Sequence, residues 1–411
     1  MLRRLLLPFL LLAPLLAPAA DFDFEGPPHN YWKTPLTDRF TKIKDDLESG
    51  KLKLDTTSEK AFLTSLLSAL EIPATSQMLV FSTTSLQLRF ISPRNPRALF
   101  FNENVYVGYI PGARIEVVSL DPALGGIFYI FDIPRGDAPP RVERSARCMN
   151  CHAREDTQFV PALTAKSVVP GAVGGSLVAY RSGQTGHGIP LKDRFGGWYL
   201  TGAENITEHW GNTAGRFVDG KLQKIPVEPG RYFSYDHYPV AGSDVLPQLL
   251  HEHQIGFANR VIDATYHARA YLSEDDGQLS PEHRQELDDK ARSLVRYLLF
   301  ADEAALPAGG IAGDAAFKAD FAHHRRPGPA GASLKDFDLK TRLMKYRCSY
   351  MIYSDVFAGL PPEMRQRVDQ RLVQALSEAK PDPEYAYLPA EEKRAIRGIL
   401  KATLPNPPAG L

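Results

Sequence analysis

The pentapeptide Cys148-Met149-Asn150-Cys151-His152 constrains this chain more than any other feature. C-x-x-C-H is the attachment signature of a c-type haem. On one helical turn the two cysteines stand at i and i+3 and face the same way, so both sulfurs can bond to the two haem vinyls. His152 follows at once, placed to reach the iron as proximal ligand.

Rival readings of a C-x-x-C pair each need something the sequence lacks. Structural zinc wants four ligands, usually from two such pairs, and the only other cysteine is Cys348. A thioredoxin-like dithiol gives no reason for a histidine directly after the second cysteine. Coincidence is the remaining alternative, and the start of the chain argues against it. Met1-Leu2-Arg3-Arg4 leads into an apolar run from Leu5 to Leu16 and then the small residues Ala17-Pro18-Ala19-Ala20 before Asp21. That order predicts a secretory signal peptide over residues 1–20 and a periplasmic or otherwise exported protein.

No later stretch approaches the roughly 18 to 20 apolar residues of a membrane span, so none is expected after signal cleavage. The 411 residues carry 48 basic and 48 acidic side chains. Removing residues 1–20 takes away Arg3 and Arg4 and no acid, leaving 46 against 48 and a formal charge of −2. Nothing in that balance suggests nucleic acid. Two cysteines belong to the motif, so Cys348 has no partner within the chain for a disulfide and is expected to pack as a small buried thiol.

Periodicity divides the rest. Residues 21–135 read as a helical entry, about Thr37 to Leu47 and Ser58 to Leu70, followed by short β-rich runs. These are Met78 to Phe81, Leu86 to Ile91, Leu99 to Phe101, Val105 to Tyr109, Ile115 to Val118 and Ile127 to Phe131, separated by turn residues. They predict an antiparallel meander, with sheet forming one wall of the haem pocket. Residues 136–245 hold the motif and a loop-rich stretch. Residues 246–411 are mainly helical: about Pro247 to Tyr271, Ser280 to Phe300, Pro362 to Ala379 and Pro389 to Ala402, with a surface loop over 302–333. The expected fold class is therefore α+β, with a β-rich N-terminal half, a helical C-terminal half and the haem motif between them.

The chain resembles a family of exported bacterial cytochrome c domain-containing proteins with a single C-x-x-C-H. The resemblance covers most of the chain beyond residue 20. It rests on Ser85-Leu86-Gln87, Ile91-Ser92-Pro93, Val107-Gly108-Tyr109, Cys148 to His152, His187 through Arg194, and Gly196 to Gly202. It continues in His209-Trp210-Gly211-Asn212, Glu252-His253-Gln254 and Tyr346 to Ser354. Phe195 stands where relatives would carry tryptophan. The resemblance implies one covalent haem c.

The leading functional expectation is a one-electron carrier that works with a redox partner protein. Alternatives are a haem enzyme, peroxidase-like or acting on a small oxidisable molecule, with His253, His251 or Gln254 acting on bound ligand, and a haem-based sensor or docking subunit. A carrier usually has a sixth iron ligand. Met344, Met351 and Met364 lie far along the chain in helical surroundings, so histidine is preferred. His187, in a Gly- and Pro-bearing loop, is the first candidate, His253 the second and His209 the third. Arg144, Arg147, Arg154 and Arg194 are candidates to neutralise haem propionates.

Overall fold

The computed structural model describes residues 23–136, 138–179 and 186–411, so the expected signal peptide lies outside the described residues. Two capped helices open the described chain. In α1 (Arg39–Glu48) the Asp38 carboxylate accepts from the backbone N–H groups of Phe40 and Thr41, and α2 (Glu59–Ala69) is capped by Ser58. The buried residues of α2, Phe62, Leu63, Leu66 and Leu67, recur at helical spacing.

The predicted meander follows. Strands β1 (Met78–Val80), β2 (Arg97–Phe101), β3 (Val105–Tyr109), β4 (Ile115–Asp121), β5 (Gly125–Phe131) and β6 (Glu143–Arg144) pair in chain order as one antiparallel sheet. β3 and β5 are buried along their whole length because elements cover both faces of the sheet. Ala98, Phe100, Val107, Val117 and Ile127 pack with Phe40 of α1 and the apolar residues of α2 in one core. The alternate residues Phe101, Tyr106 and Leu120 turn toward a second core built on the C-terminal helices.

The Leu86 to Ile91 run is not a strand. It forms a short 3₁₀ turn, and the Gln87 amide clamps it to the β3–β4 connection by donating to the Arg114 carbonyl and accepting from the Arg114 N–H. Leu88 is 56 % exposed, so its apolar side chain fills no core and the alternation there carries no pairing information.

The motif forms α3 (Met149–His152), entered through a 3₁₀ turn at Ala146–Cys148. Two small hairpins that the sequence did not announce follow, β7 (Val168–Pro170) with β8 (Ser176–Ala179), and β9 (Thr213–Val218) with β10 (Lys221–Pro226). Asp219 and Gly220 join the second hairpin with φ of 50° and 73°, the sense of twist that two-residue hairpin turns require.

The long helix α4 (Val245–Glu274) is the spine of the second core and α5 (Pro281–Leu298) packs along it. The stretch 302–333 was expected to be loop throughout, yet it contains α6 (Ala315–His323), capped by Asp314 and anchored by buried Phe317 and Phe321. Helices α7 (Asp355–Ala358), α8 (Pro362–Ala375) and α9 (Ala390–Thr403) complete the core. Cys348 is fully buried there as a free thiol, with burial raising its pKa. Among the described residues no helix is long and apolar enough to cross a membrane.

Candidate haem-attachment site

Cys148 and Cys151 stand one turn apart as free thiols, the first half-buried and the second exposed. Burial pushes the Cys148 thiol up to about 11. The His152 ring lies 4.4 Å from the ring of Phe128 on β5, so the motif is seated directly against the sheet. Nδ1 of His152 is 2.8 Å from the Ala162 carbonyl oxygen. A carbonyl only accepts, so Nδ1 carries the proton and Nε2 keeps its lone pair. Nε2 makes no hydrogen bond among the described residues. Burial drives the His152 pKa down to about 4, against the opposing pull of the Ala162 bond, so the ring is neutral near pH 7. A carbonyl that fixes the tautomer in this way, leaving the other ring nitrogen its lone pair, is what a metal-ligating histidine needs.

Backbone hydrogen bonds clamp this corner. Ala162 N–H donates to the His152 carbonyl at 2.9 Å, and Gly126 N–H to the Pro161 carbonyl at 2.9 Å. Gly125 permits the approach: its φ is +72°, and a Cβ there would stand 2.6 Å from the Pro161 oxygen.

The sheet face that carries Phe128 is less completely covered than the opposite one. Phe101, Tyr106, Val118 and Phe128 are successive cross-strand partners in one row across β2, β3, β4 and β5. Val118 is only half-buried, and so is Leu99 in the adjacent row, whereas Phe100, Val107 and Val117 on the opposite face are at most 1 % exposed. That adjacent row runs Leu99, Gly108, Glu116, Ile130. Arg97 and Glu116 form an ion pair of 2.5 Å in the same cleft. Gly108 leaves room for it, since a Cβ there would lie 2.8 Å from a guanidinium nitrogen of Arg97. The buried Nε of Arg97 has no hydrogen-bond partner.

His187 and His253, expected as iron ligands, lie together elsewhere. Their Nδ1 atoms are 2.8 Å apart, His187 Nε2 is 3.2 Å from the Ala301 carbonyl, and His253 Nε2 is 2.7 Å from Ser349 Oγ. Both rings are at most 1 % exposed and stack on Tyr297 and Phe300. Met351 N–H donates to Ser349 Oγ, and Ala301 can only accept. With both rings neutral one proton order satisfies every contact: Ser349 O–H donates to His253 Nε2, His253 Nδ1–H to His187 Nδ1, and His187 Nε2–H to Ala301. In this structure no ring nitrogen of either residue is left for iron, which counts against the sixth-ligand expectation for both. The glycine argument for His187 changes too. A Cβ at Gly186 would collide with the Tyr297 hydroxyl, so that glycine serves packing against α5.

Other candidates also resolve. His209 packs edge-on to Phe195, and its buried Nδ1 has no hydrogen-bond partner among the described residues. Met344, Met351 and Met364 are fully buried in the helical core. Arg144 lies over the rings of Tyr31 and Trp32 and donates to the Tyr31 carbonyl. Arg194 is 2 % exposed and holds the carbonyls of Ile189 and His187. Arg147 and Arg154 are exposed beside the motif.

Arg97, Glu116, Phe128 and Ala162 escaped the sequence reading. In strands of alternating pattern a lone charge reads as solvent-facing, and no local signal marks a carbonyl that will orient a histidine. Compared with known proteins, the chain matches no protein-family model, no curated protein and no solved structure.

Proposed function

We propose that this protein is an exported c-type cytochrome that holds one haem through Cys148 and Cys151, with His152 on the iron, and passes single electrons to and from a redox partner protein. The observation that carries the reading is His152: its tautomer is fixed by Ala162, its Nε2 is unpartnered, and it stands beside two free thiols spaced one helical turn apart. A dithiol site gives no role to that nitrogen, and structural zinc would need a fourth ligand beyond Cys148, Cys151 and His152. The half-buried Val118, cross-strand partner of the Phe128 that His152 packs on, also fits a bulky apolar group on this face.

When bound, the haem supplies a one-electron couple at iron. The chain's own residues set the conditions. His152 is held neutral by burial and oriented by the Ala162 carbonyl. The Arg97–Glu116 pair brings no net charge into the cleft and leaves one donor, Arg97 Nε, available to an acidic group. Cys151 is exposed, so the attachment turn reaches the surface where a partner can dock. The absence of a membrane-crossing helix among the described residues is compatible with this role.

The test is maturation in a host that exports the chain and supplies the haem-attachment machinery. Acid-acetone extraction should leave haem on the protein, and Cys151→Ala should prevent the two-thioether product seen by mass spectrometry. A mature protein without haem under those conditions overturns the proposal.

A further inference from the structure

His251 is the one buried histidine on α4 that the fold leaves without a hydrogen bond among the described residues. It is 6 % exposed, and its ring contacts are aromatic: Phe101 at 5.4 Å, Tyr106 at 5.7 Å and Trp198 at 6.2 Å. Neither of its ring nitrogens has a hydrogen-bond partner among the described residues, so both are uncommitted.

Its position supplies one. Phe101 and Tyr106, under His251, belong to the same cross-strand row as Phe128, under His152. Val118 lies between them and is the half-buried member of that row. Neighbouring strands are about 4.8 Å apart, so Tyr106 on β3 and Phe128 on β5 hold the two histidines over points roughly 10 Å apart on one face of the sheet, with the half-buried Val118 between. The charge of Arg97 bears on both rings.

From this geometry we propose that His251 is the second axial ligand of the iron, opposite His152, making the site a bis-histidine centre. The inference rests on the covalent-haem reading. Burial holds His251 neutral, with a pKa lowered to about 3, so its lone pair is free for a metal. The first two candidates are spent: His187 and His253 are bonded to each other and to Ala301 and Ser349. The neighbouring Gln254 is fixed between the hydroxyls of Tyr106 and Tyr350. Two imidazoles should hold the potential below that of a His/Met site, since thioether ligation raises it.

The experiment uses the mature, haem-loaded chain, with covalent haem content measured separately by mass. Wild type should be low-spin in both oxidation states and slow to bind CO. His251→Ala should keep its covalent haem, become high-spin and bind CO rapidly, and added imidazole should restore the low-spin spectrum. His251→Met, which refills the space, should stay low-spin with a potential raised above wild type. His187→Ala should keep the wild-type spectrum. Covalent haem with an unchanged low-spin spectrum in His251→Ala overturns this ligand assignment alone, as does a high-spin wild type. A mature chain with no covalent haem overturns both this inference and the function it rests on.

Discussion

Replacing His187 with alanine separates a structural histidine from an iron ligand, and its cost can be worked from the structure. The ring is 1 % exposed and stacks 4.0 Å from Tyr297 and 5.0 Å from Phe300. Truncating a buried ring of this kind costs about 3 kcal/mol through lost contacts and the cavity left behind. The variant also strands His253 Nδ1–H and the Ala301 carbonyl, each fully enclosed, for about another 1 to 2 kcal/mol. A loss of about 4 to 5 kcal/mol is a large share of the 5 to 15 kcal/mol that holds an ordinary domain. Urea unfolding followed by tryptophan fluorescence should show a lower midpoint at an unchanged slope. The haem spectrum of the folded variant should match wild type. A loss below about 1 kcal/mol, or low-spin iron turning high-spin in a protein of normal stability, would refute the argument.

Two further outcomes test the same region. Arg194→Ala should destabilise by about 3 to 5 kcal/mol in the same assay, because it removes the donors to the Ile189 and His187 carbonyls and strands the partly buried carboxylate of Glu252, whose ion pair with Arg194 spans 3.1 Å. Stability should also fall on acidification, because burial lowers the pKa of His187 to about 3 and that of His253 well below the unfolded value of 6.5. Below pH 6.5 the unfolded chain takes up protons that the folded chain refuses, so the contribution is complete above 6.5 and shrinks as pH falls toward the folded values. The loss is about 1.4 kcal/mol per ring per pH unit. His187→Gln should shed about one proton from that slope, and an unchanged slope counts against the buried neutral pair.

The α+β order, the meander and the major helices were legible because each is written in local periodicity. β3 is found where alternating residues meet turn signals, and α5 opens at Ser280 and Pro281 as capping chemistry requires. The helical turn that sets Cys148 and Cys151 one turn apart was legible because its spacing is itself the geometry. The Leu86 to Ile91 error came from reading apolar content as pairing, when the Gln87 side chain decides the conformation. Alanine, glycine and proline hid α6, although Phe317 and Phe321 at i and i+4 were its signal. The histidines could not be sorted locally. Ser349 lies 96 positions from His253 and Ala301 lies 114 from His187, so the bonds that occupy both rings exist only after the helices have docked.

Helix geometry then explains how α4 gives adjacent histidines opposite tasks. His251 and His253 are two residues apart, about 200° around the axis, so one faces the sheet while the other faces α5 and Ser349. Each residue between and beside them is tied: Glu252 to Arg194, Gln254 to Tyr106 on one side and Tyr350 on the other. A rotation of α4 by one residue would swing His251 by about 100° away from Tyr106 and would break the His253 bonds to His187 and Ser349 at the same time. The buried polar chain behind the helix therefore fixes the aim of the ring in front of it. A group so aimed loses little orientational freedom when it takes a ligand, which is the condition a preorganised metal ligand must meet. The same bonds that occupy both nitrogens of His253 hold the His251 ring toward the sheet, which is what the proposed ligation needs.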